Sequence, residues 1–241
     1  MIDWFSEWFD SKYYHILYKN RDEKEAESFL KNLSKLEFFK KNAKIIDIAC
    51  GKGRHSLFLS ELGYDVTGVD LSKNSIKHAK QFEKENLKFD VADMRETYKN
   101  NSFDVSLNLF TSFGYFNNKE DDFLAIKAMS GNLKNDGVLI IDFLNSKKVI
   151  DSLVKQETKE IDGVQFNITR KFEDNFIIKN IEVNNDEENI FFQEKVKALT
   201  KESFSELLIF AGLQIINTFG NYKLDEFNPE ISDRLIIIAK K

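Results

Sequence analysis

From residue 44 onward the chain alternates short, almost wholly apolar runs with stretches whose apolar residues recur at helical spacing. Ile45-Ile46-Asp47-Ile48-Ala49-Cys50 reads as a buried strand, and a helix follows over about 54–62, closed by Gly63. Residues 65–70 form a second strand, after which Ser72 caps a helix with Ile76, Ala79 and Phe82 on one face. Residues 87–91 and 102–109 are further strands. The spacing of Phe123, Ile126 and Met129 predicts a helix over 120–133. Asn135-Asp136-Gly137 marks a turn, and 138–143 is a fifth apolar strand. Strand alternating with helix predicts parallel βαβ units, and strands apolar throughout predict a sheet covered on both faces.

The flanking segments have other patterns. Residues 1–20 mix aromatic and polar positions (Trp4, Phe5, Trp8, Phe9, Tyr13, Tyr14, Tyr18) and read as short helices. Over 22–41, Phe29, Leu30, Leu33, Leu36 and Phe39 recur at helical spacing. Between about 161 and 198 the helical pattern disappears. Stretches 164–170, 176–183 and 190–198 read as antiparallel strands, the last two separated by Asn184-Asn185-Asp186. Thr200 then caps a helix carrying Phe204, Leu207, Leu208 and Ala211, which Gly212 ends, and 213–219 and 234–240 close the chain as strands. The expected fold is one α/β domain over 1–241, doubly wound around a mostly parallel seven-stranded sheet. It has a helical lid over 1–43, a core over 44–145, a small antiparallel β insertion over about 161–198, and a closing helix and hairpin over 200–241.

Composition narrows the classes without deciding among them. With 42% hydrophobic and 31% charged residues in a chain of 241, the balance is that of a globular domain with a sizeable core. The net charge of −5 disfavours a surface that tracks nucleic-acid phosphates. A single Cys excludes an intramolecular disulfide, no apolar run has the roughly 20 residues of a membrane span, and the first residues lack a signal-peptide pattern. Cytoplasmic localisation is the expectation.

The chemistry concentrates in Asp47-Ile48-Ala49-Cys50-Gly51-Lys52-Gly53-Arg54 and in Asp70, 17 residues beyond Gly53. A glycine-rich turn between strand and helix lets backbone approach a ligand, and an acid ending the second strand can take both hydroxyls of a ribose. A dinucleotide fingerprint would carry a third Gly or Ala where Ser56 stands. Asp47 would repel a pyrophosphate, but a carboxylate there suits a ligand carrying a sulfonium and an ammonium group. Cys50 reads as a small buried residue, since no Cys–His arrangement accompanies it. His15, His55 and His78 have no metal-ligand spacing, and no metal site is expected.

These motifs resemble the signature of class I S-adenosylmethionine-dependent methyltransferases. The resemblance covers D-x-A-C-G-x-G-R at 47–54, G-V-D-L-S at 68–72, Ala92-Asp93-Met94, Asn108-Leu109-Phe110 and Leu133-Lys134-Asn135-Asp136-Gly137. It implies S-adenosylmethionine as cofactor and S-adenosylhomocysteine as product. It also implies that Gly51 and Gly53 pass under the methionine part, that Ala49 is among the cofactor-binding residues, that Asp47 orients the ammonium, and that Asp70 holds the ribose. Asp93 would accept from the adenine amine, with Met94 and Leu71 packing on the ring. Asn108 and Leu109 would line the donor channel, and Arg54 would meet the cofactor carboxylate. In similar methyltransferases the segment before the first strand folds over the cofactor, which makes Tyr14 and Tyr18 candidates to touch it.

The segment 111–116, with Phe113 and Tyr115, is expected to face the acceptor, together with His15. Methyl transfer by in-line displacement needs little beyond alignment and exclusion of water. His15, Tyr115 and Asp142 are candidate bases, and none is singled out. Asn108-Leu109-Phe110-Thr111 lacks the Pro-Pro-aromatic run of enzymes that methylate amines of nucleic-acid bases, so a small-molecule acceptor is expected. The protein is read as a monomer or homodimer, with the β insertion as a substrate cover or dimer contact. Two other readings stand beside this one. A nicotinamide-dependent oxidoreductase is disfavoured by Asp47, Ser56 and the antiparallel chain end; the other is a non-catalytic S-adenosylmethionine-binding module.

Overall fold

A computed structural model of the chain describes residues 8–19, 23–184 and 189–241. The expectations for Trp4 and Phe5, for the start of the helix read from residue 22, and for the separator at Asn184-Asn185-Asp186 beyond residue 184 lie outside the described residues.

The main sheet is built from β1 (Lys44–Ile48), β2 (Asp65–Asp70), β3 (Leu87–Val91), β4 (Phe103–Asn108), β5 (Leu133–Leu144), β10 (Gln214–Phe219) and β11 (Arg234–Lys240). Its order is β10-β11-β5-β4-β1-β2-β3. The five strands from β3 to β5 run parallel, whereas β11 pairs antiparallel with both β5 and β10. The strand order therefore reverses between β1 and β4, where ligands bind in open α/β sheets. Two apolar clusters cover the two faces. One gathers Phe29, Leu30 and Leu33 of α2 (Glu23–Leu33) with Leu59 of α3 (Arg54–Glu61) and Ile76 of α4 (Lys73–Ala79). The other joins Ile126 and Met129 of α5 (Lys119–Asn132) to Phe204 and Leu208 of α7 (Lys201–Phe210).

A second, four-stranded antiparallel sheet has the order β6-β7-β8-β9, formed by Gln156–Ile161, Val164–Glu173, Phe176–Asn184 and Asn189–Lys197. It follows the short helix α6 (Ser146–Asp151). The insertion thus begins earlier than expected and has four strands, not three. The signal missed was Asp162-Gly163, whose positive φ values (54° and 76°) turn β6 into β7. Phe166, Ile168, Ile181 and Val183 of this sheet bury against Trp8, Tyr13 and Leu17, so α1 (Lys12–Leu17) packs on the insertion.

Other boundaries also shift. α2 stops at Leu33, and Leu36 and Phe39 reach the core from the turns that follow. α4 tightens into a 3₁₀ turn at Lys80–Phe82, which leaves Phe82 partly exposed against His78 instead of on the buried face. Asn135-Asp136-Gly137 does not separate helix from strand. It forms a bulge inside β5, where the register against β4 jumps from Phe103↔Leu133 to Val105↔Val138 and Asp136 takes φ 64°. Among the described residues, no helix is long and apolar enough to cross a membrane.

Candidate functional site

The carboxyl ends of β1, β2 and β4 and the residues after β3 open onto a cavity of about 450 Å³, roofed by α1 and the residues around it. Its floor is the turn after β1. Ala49 (φ 62°), Gly51 (φ 56°) and Gly53 (φ 81°) alternate with other conformations there, so the chain doubles back without a regular turn. A left-handed conformation is strained for any L-residue, and Ala, with the smallest side chain, tolerates it at a cost of about 1–2 kcal/mol. Gly51 lines the cavity, and a Cβ placed on it would meet no atom within 4 Å. Gly53 does not line it. A Cβ there would lie 2.5 Å from the Phe89 ring, so this glycine admits Phe89 behind α3 and is not a ligand surface, contrary to the expectation.

Two acids flank this turn, Asp47 buried and Asp70 half-buried. Ser56 Oγ donates to Asp47 Oδ2 at 2.6 Å, and among the described residues no donor meets Asp47 Oδ1. Burial pushes the Asp47 carboxyl up to about 6; the Ser56 hydrogen bond opposes the rise and the charge of Asp70 adds to it. Asp70 Oδ2 accepts from the Gly51 N–H and Oδ1 from the Ser72 N–H, both at 2.8 Å. Burial raises its pKa against these two bonds. A carboxylate has about four acceptor positions, so Asp70 keeps capacity toward the cavity while bracing the floor.

Asp93, Met94 and Leu71 line the same cavity. The Asp93 carboxylate is gripped by the Arg95 guanidinium, with Nε at 3.0 Å and Nη2 at 2.6 Å. Burial alone would raise its pKa, but Arg95 outweighs burial and holds it below the usual range. Leu109, Arg54, Phe113, Tyr115, Tyr14, His15 and Tyr18 also line the cavity. Asn108 does not. It is fully buried, and its Nδ2 donates to the Ile48 carbonyl, tying β4 to the end of β1. Asp142 is not in the cavity either. Its carboxylate is buried against Arg234 and the Phe110 N–H, so it is excluded as a base.

Phe9, Lys19, Lys52 and Ser72 line the cavity without having been read as site residues. Only the fold of α1 over β2 could reveal Phe9 and Ser72 as neighbours of the site. Asp10 accepts from Ser72 Oγ at 2.6 Å and from Asn74, which fastens the roof to the end of β2. At the other side, Trp8 Nε1 (2.8 Å) and Tyr18 OH (2.7 Å) both donate to Glu194 of β9. Burial of His15 and the nearby Lys52 charge hold the imidazole below its ordinary pKa, with Asp10 opposing, so the ring is mostly neutral at pH 7.

The fold thus gathers acids around a glycine turn at the carboxyl ends of the parallel strands. The comparisons give the family. The family described as a methyltransferase domain matches residues 39–212. A glycine/sarcosine N-methyltransferase of Aphanothece halophytica is 26% identical over 242 residues, covering 92% of this chain and 83% of that protein. A putative methyltransferase of Bacillus subtilis (strain 168), YqeM, is 34% identical over 111 residues, and the chain spans 45% of its length. The crystal structure of an S-adenosylmethionine-dependent methyltransferase from Clostridium acetobutylicum ATCC 824 superposes with a TM-score of 0.79, covering 95% of both chains at 21% identity, and so shares the fold. This chain belongs to the class I S-adenosylmethionine-dependent methyltransferases.

Proposed function

We propose that the protein transfers the methyl group of S-adenosylmethionine to the nitrogen of a small amine. The observation that carries the cofactor part of this reading is Asp47, a buried carboxylate at the cavity floor with one oxygen that meets no donor among the described residues. Such a group is costly to leave ionised unless a cation meets it, and the cofactor's ammonium is a cation of the right kind. Asp70 has acceptor capacity for the ribose, and Asp93 can take the adenine amine on lone pairs that Arg95 leaves open. Met94 and Leu71 offer apolar surface to the base. Gly51 leaves room for the methionine part.

When bound, S-adenosylmethionine supplies a methyl group already activated by the sulfonium. The acceptor nitrogen must present its lone pair in line with the methyl–sulfur bond. An amine acceptor would give up a proton as it is methylated. His15, neutral and in the roof of the cavity, is the group we assign to receive that proton. Phe113, Tyr115 and Tyr14 surround the acceptor space with rings and exclude water, which suits a small acceptor. The relative aligned over most of this chain is named for N-methylation of glycine and sarcosine, which supports a small amine here.

The test begins with calorimetric titration of S-adenosylmethionine and, separately, NADH into wild type and Asp70→Ala. Binding of S-adenosylmethionine that the variant loses, with none for NADH, supports the cofactor assignment; binding of NADH alone would reverse it. Release of S-adenosylhomocysteine is then measured over a panel of small amines and matched alcohols. Turnover confined to alcohols would sink the amine reading. Binding without turnover of any acceptor would favour a non-catalytic module.

A further inference from the structure

Directly after β4, Phe110 (φ 58°) and Thr111 (φ 59°) stand consecutively in the left-handed region. For two non-glycine residues, one of them β-branched, this is strained by about 1–3 kcal/mol each, and it persists only where the surroundings over-determine it. Both residues line the cavity. The surroundings are two residues that do not line it: Asp142 on β5 and Arg234 at the start of β11.

Both backbone N–H groups of the turn and the Thr111 hydroxyl are taken up by this pair. The Phe110 N–H donates to Asp142 Oδ2 at 2.8 Å, and the Thr111 N–H donates to the Asp142 carbonyl at 3.0 Å. Arg234 Nε donates to Asp142 Oδ1 at 2.8 Å while Nη2 of the same guanidinium donates to Thr111 Oγ1 at 2.9 Å. Tyr222 OH, 3.3 Å from Asp142 Oδ2, closes the network from the loop before β11. A guanidinium fork can reach both acceptors at once, which a lysine ammonium on a flexible stem cannot reproduce. The strained turn in its turn carries the Phe110 ring, which stacks on His55 of α3 at 4.3 Å and 22° beside the glycine loop.

We infer that the Asp142–Arg234 pair is a positioning device that clamps Phe110–Thr111 in the left-handed turn and so sets the wall of the ligand cavity from behind. Neither residue lines the cavity. The inference rests on the cavity being the cofactor site proposed above.

The experiment uses Asp142→Asn, Arg234→Lys and Thr111→Gly, each alone, and Thr111→Gly combined with each of the other two. S-adenosylhomocysteine affinity is read by calorimetry and stability by the unfolding midpoint. Asp142→Asn is expected to weaken affinity on the order of tenfold, because the turn relaxes and the wall moves by a fraction of an ångström. Adding Thr111→Gly is expected to recover most of that loss, since glycine adopts the left-handed turn without a clamp. Wild-type affinity in both clamp variants would overturn the inference, as would a loss that Thr111→Gly fails to recover. Arg234→Lys carries the test if Asp142→Asn does not fold. If the wild-type protein binds no S-adenosylhomocysteine, the cofactor assignment falls, and the midpoints alone decide. A clamp requires Thr111→Gly to be less stabilising in the clamp variants than in wild type, whereas additive midpoints refute it.

Discussion

Ser56 Oγ and Asp47 Oδ2 meet at 2.6 Å beneath the glycine turn, both residues buried. Ser56 occupies the position where a dinucleotide site would carry a small third residue so that helix and strand close up. Here that position carries a hydroxyl that satisfies one oxygen of a buried acid, while the other meets no donor among the described residues. Burial pushes the Asp47 carboxyl up to about 6. A cationic ammonium favours the ionised form, so S-adenosylhomocysteine affinity should be full above about pH 7 and weaken as pH falls through about 6. Calorimetry across this range should show the inflection in wild type and none in Asp47→Asn. Ser56→Ala removes a bond that lowers the pKa, so its inflection should move to higher pH.

The same shift has the opposite sign for folding without ligand. A carboxyl raised in the folded state contributes stability that is present below its ordinary value of 3.8 and lost as pH rises through about 6. At pH 7 the ligand-free protein therefore bears the cost of ionising Asp47. Asp47→Asn should raise the stability of the free protein by about 1–3 kcal/mol in denaturant titration at pH 7, while lowering cofactor affinity. A destabilised variant at that pH would mean that Asp47 holds the fold and has no ligand-directed cost.

Gly51 and Gly53 should separate binding from folding. Gly53→Ala drives a Cβ to 2.5 Å from Phe89 at φ 81°, and should cost about 2–4 kcal/mol in unfolding free energy. Gly51→Ala meets no protein atom and should cost only about 1–2 kcal/mol of backbone strain. It places a methyl group in the cavity floor, so its larger effect should be on S-adenosylmethionine affinity. Equal losses of stability in the two variants would refute this division.

Glu194 should govern the roof. It accepts from Trp8 and Tyr18 and sits 3.5 Å from the Lys179 ammonium, which burial already holds below its ordinary pKa. Glu194→Ala removes the carboxylate partner of that ammonium, leaving it the Tyr18 hydroxyl, and releases both donors, and should destabilise by about 1–3 kcal/mol. Limited proteolysis should then cut near residues 8–19 faster than in wild type. Glu194→Gln, which keeps one carbonyl acceptor, should fall between the two. An unchanged cleavage pattern would show that apolar contacts of Trp8 and Tyr13 alone hold α1.

The parallel core was legible because each element carried its own local signal. Apolar runs placed β1 to β5, Ser72 and Thr200 capped their helices as expected, and the order of β1, glycine turn, α3 and Asp70 marked the ligand end of the sheet. Misreadings fell where a residue's role depends on a distant partner. The 135–137 run looked like a turn, yet pairing with β4 absorbs it as a bulge. β6 is polar along most of its length and shows as a strand only once it is paired with β7.

The site divides along the same line. The sequence by itself determined the fold class, the glycine turn and the acids at the ends of the first strands, because these follow from spacing along one continuous stretch. It could not tell that Gly53 serves Phe89, or that Asp142 serves a turn 32 residues earlier and not the ligand. Nor could it pair Trp8 with Glu194, 186 residues away. Only the tertiary structure decided these, since a side chain's role is set by which groups close packing brings against it, and packing joins residues whose separation along the chain carries no pattern.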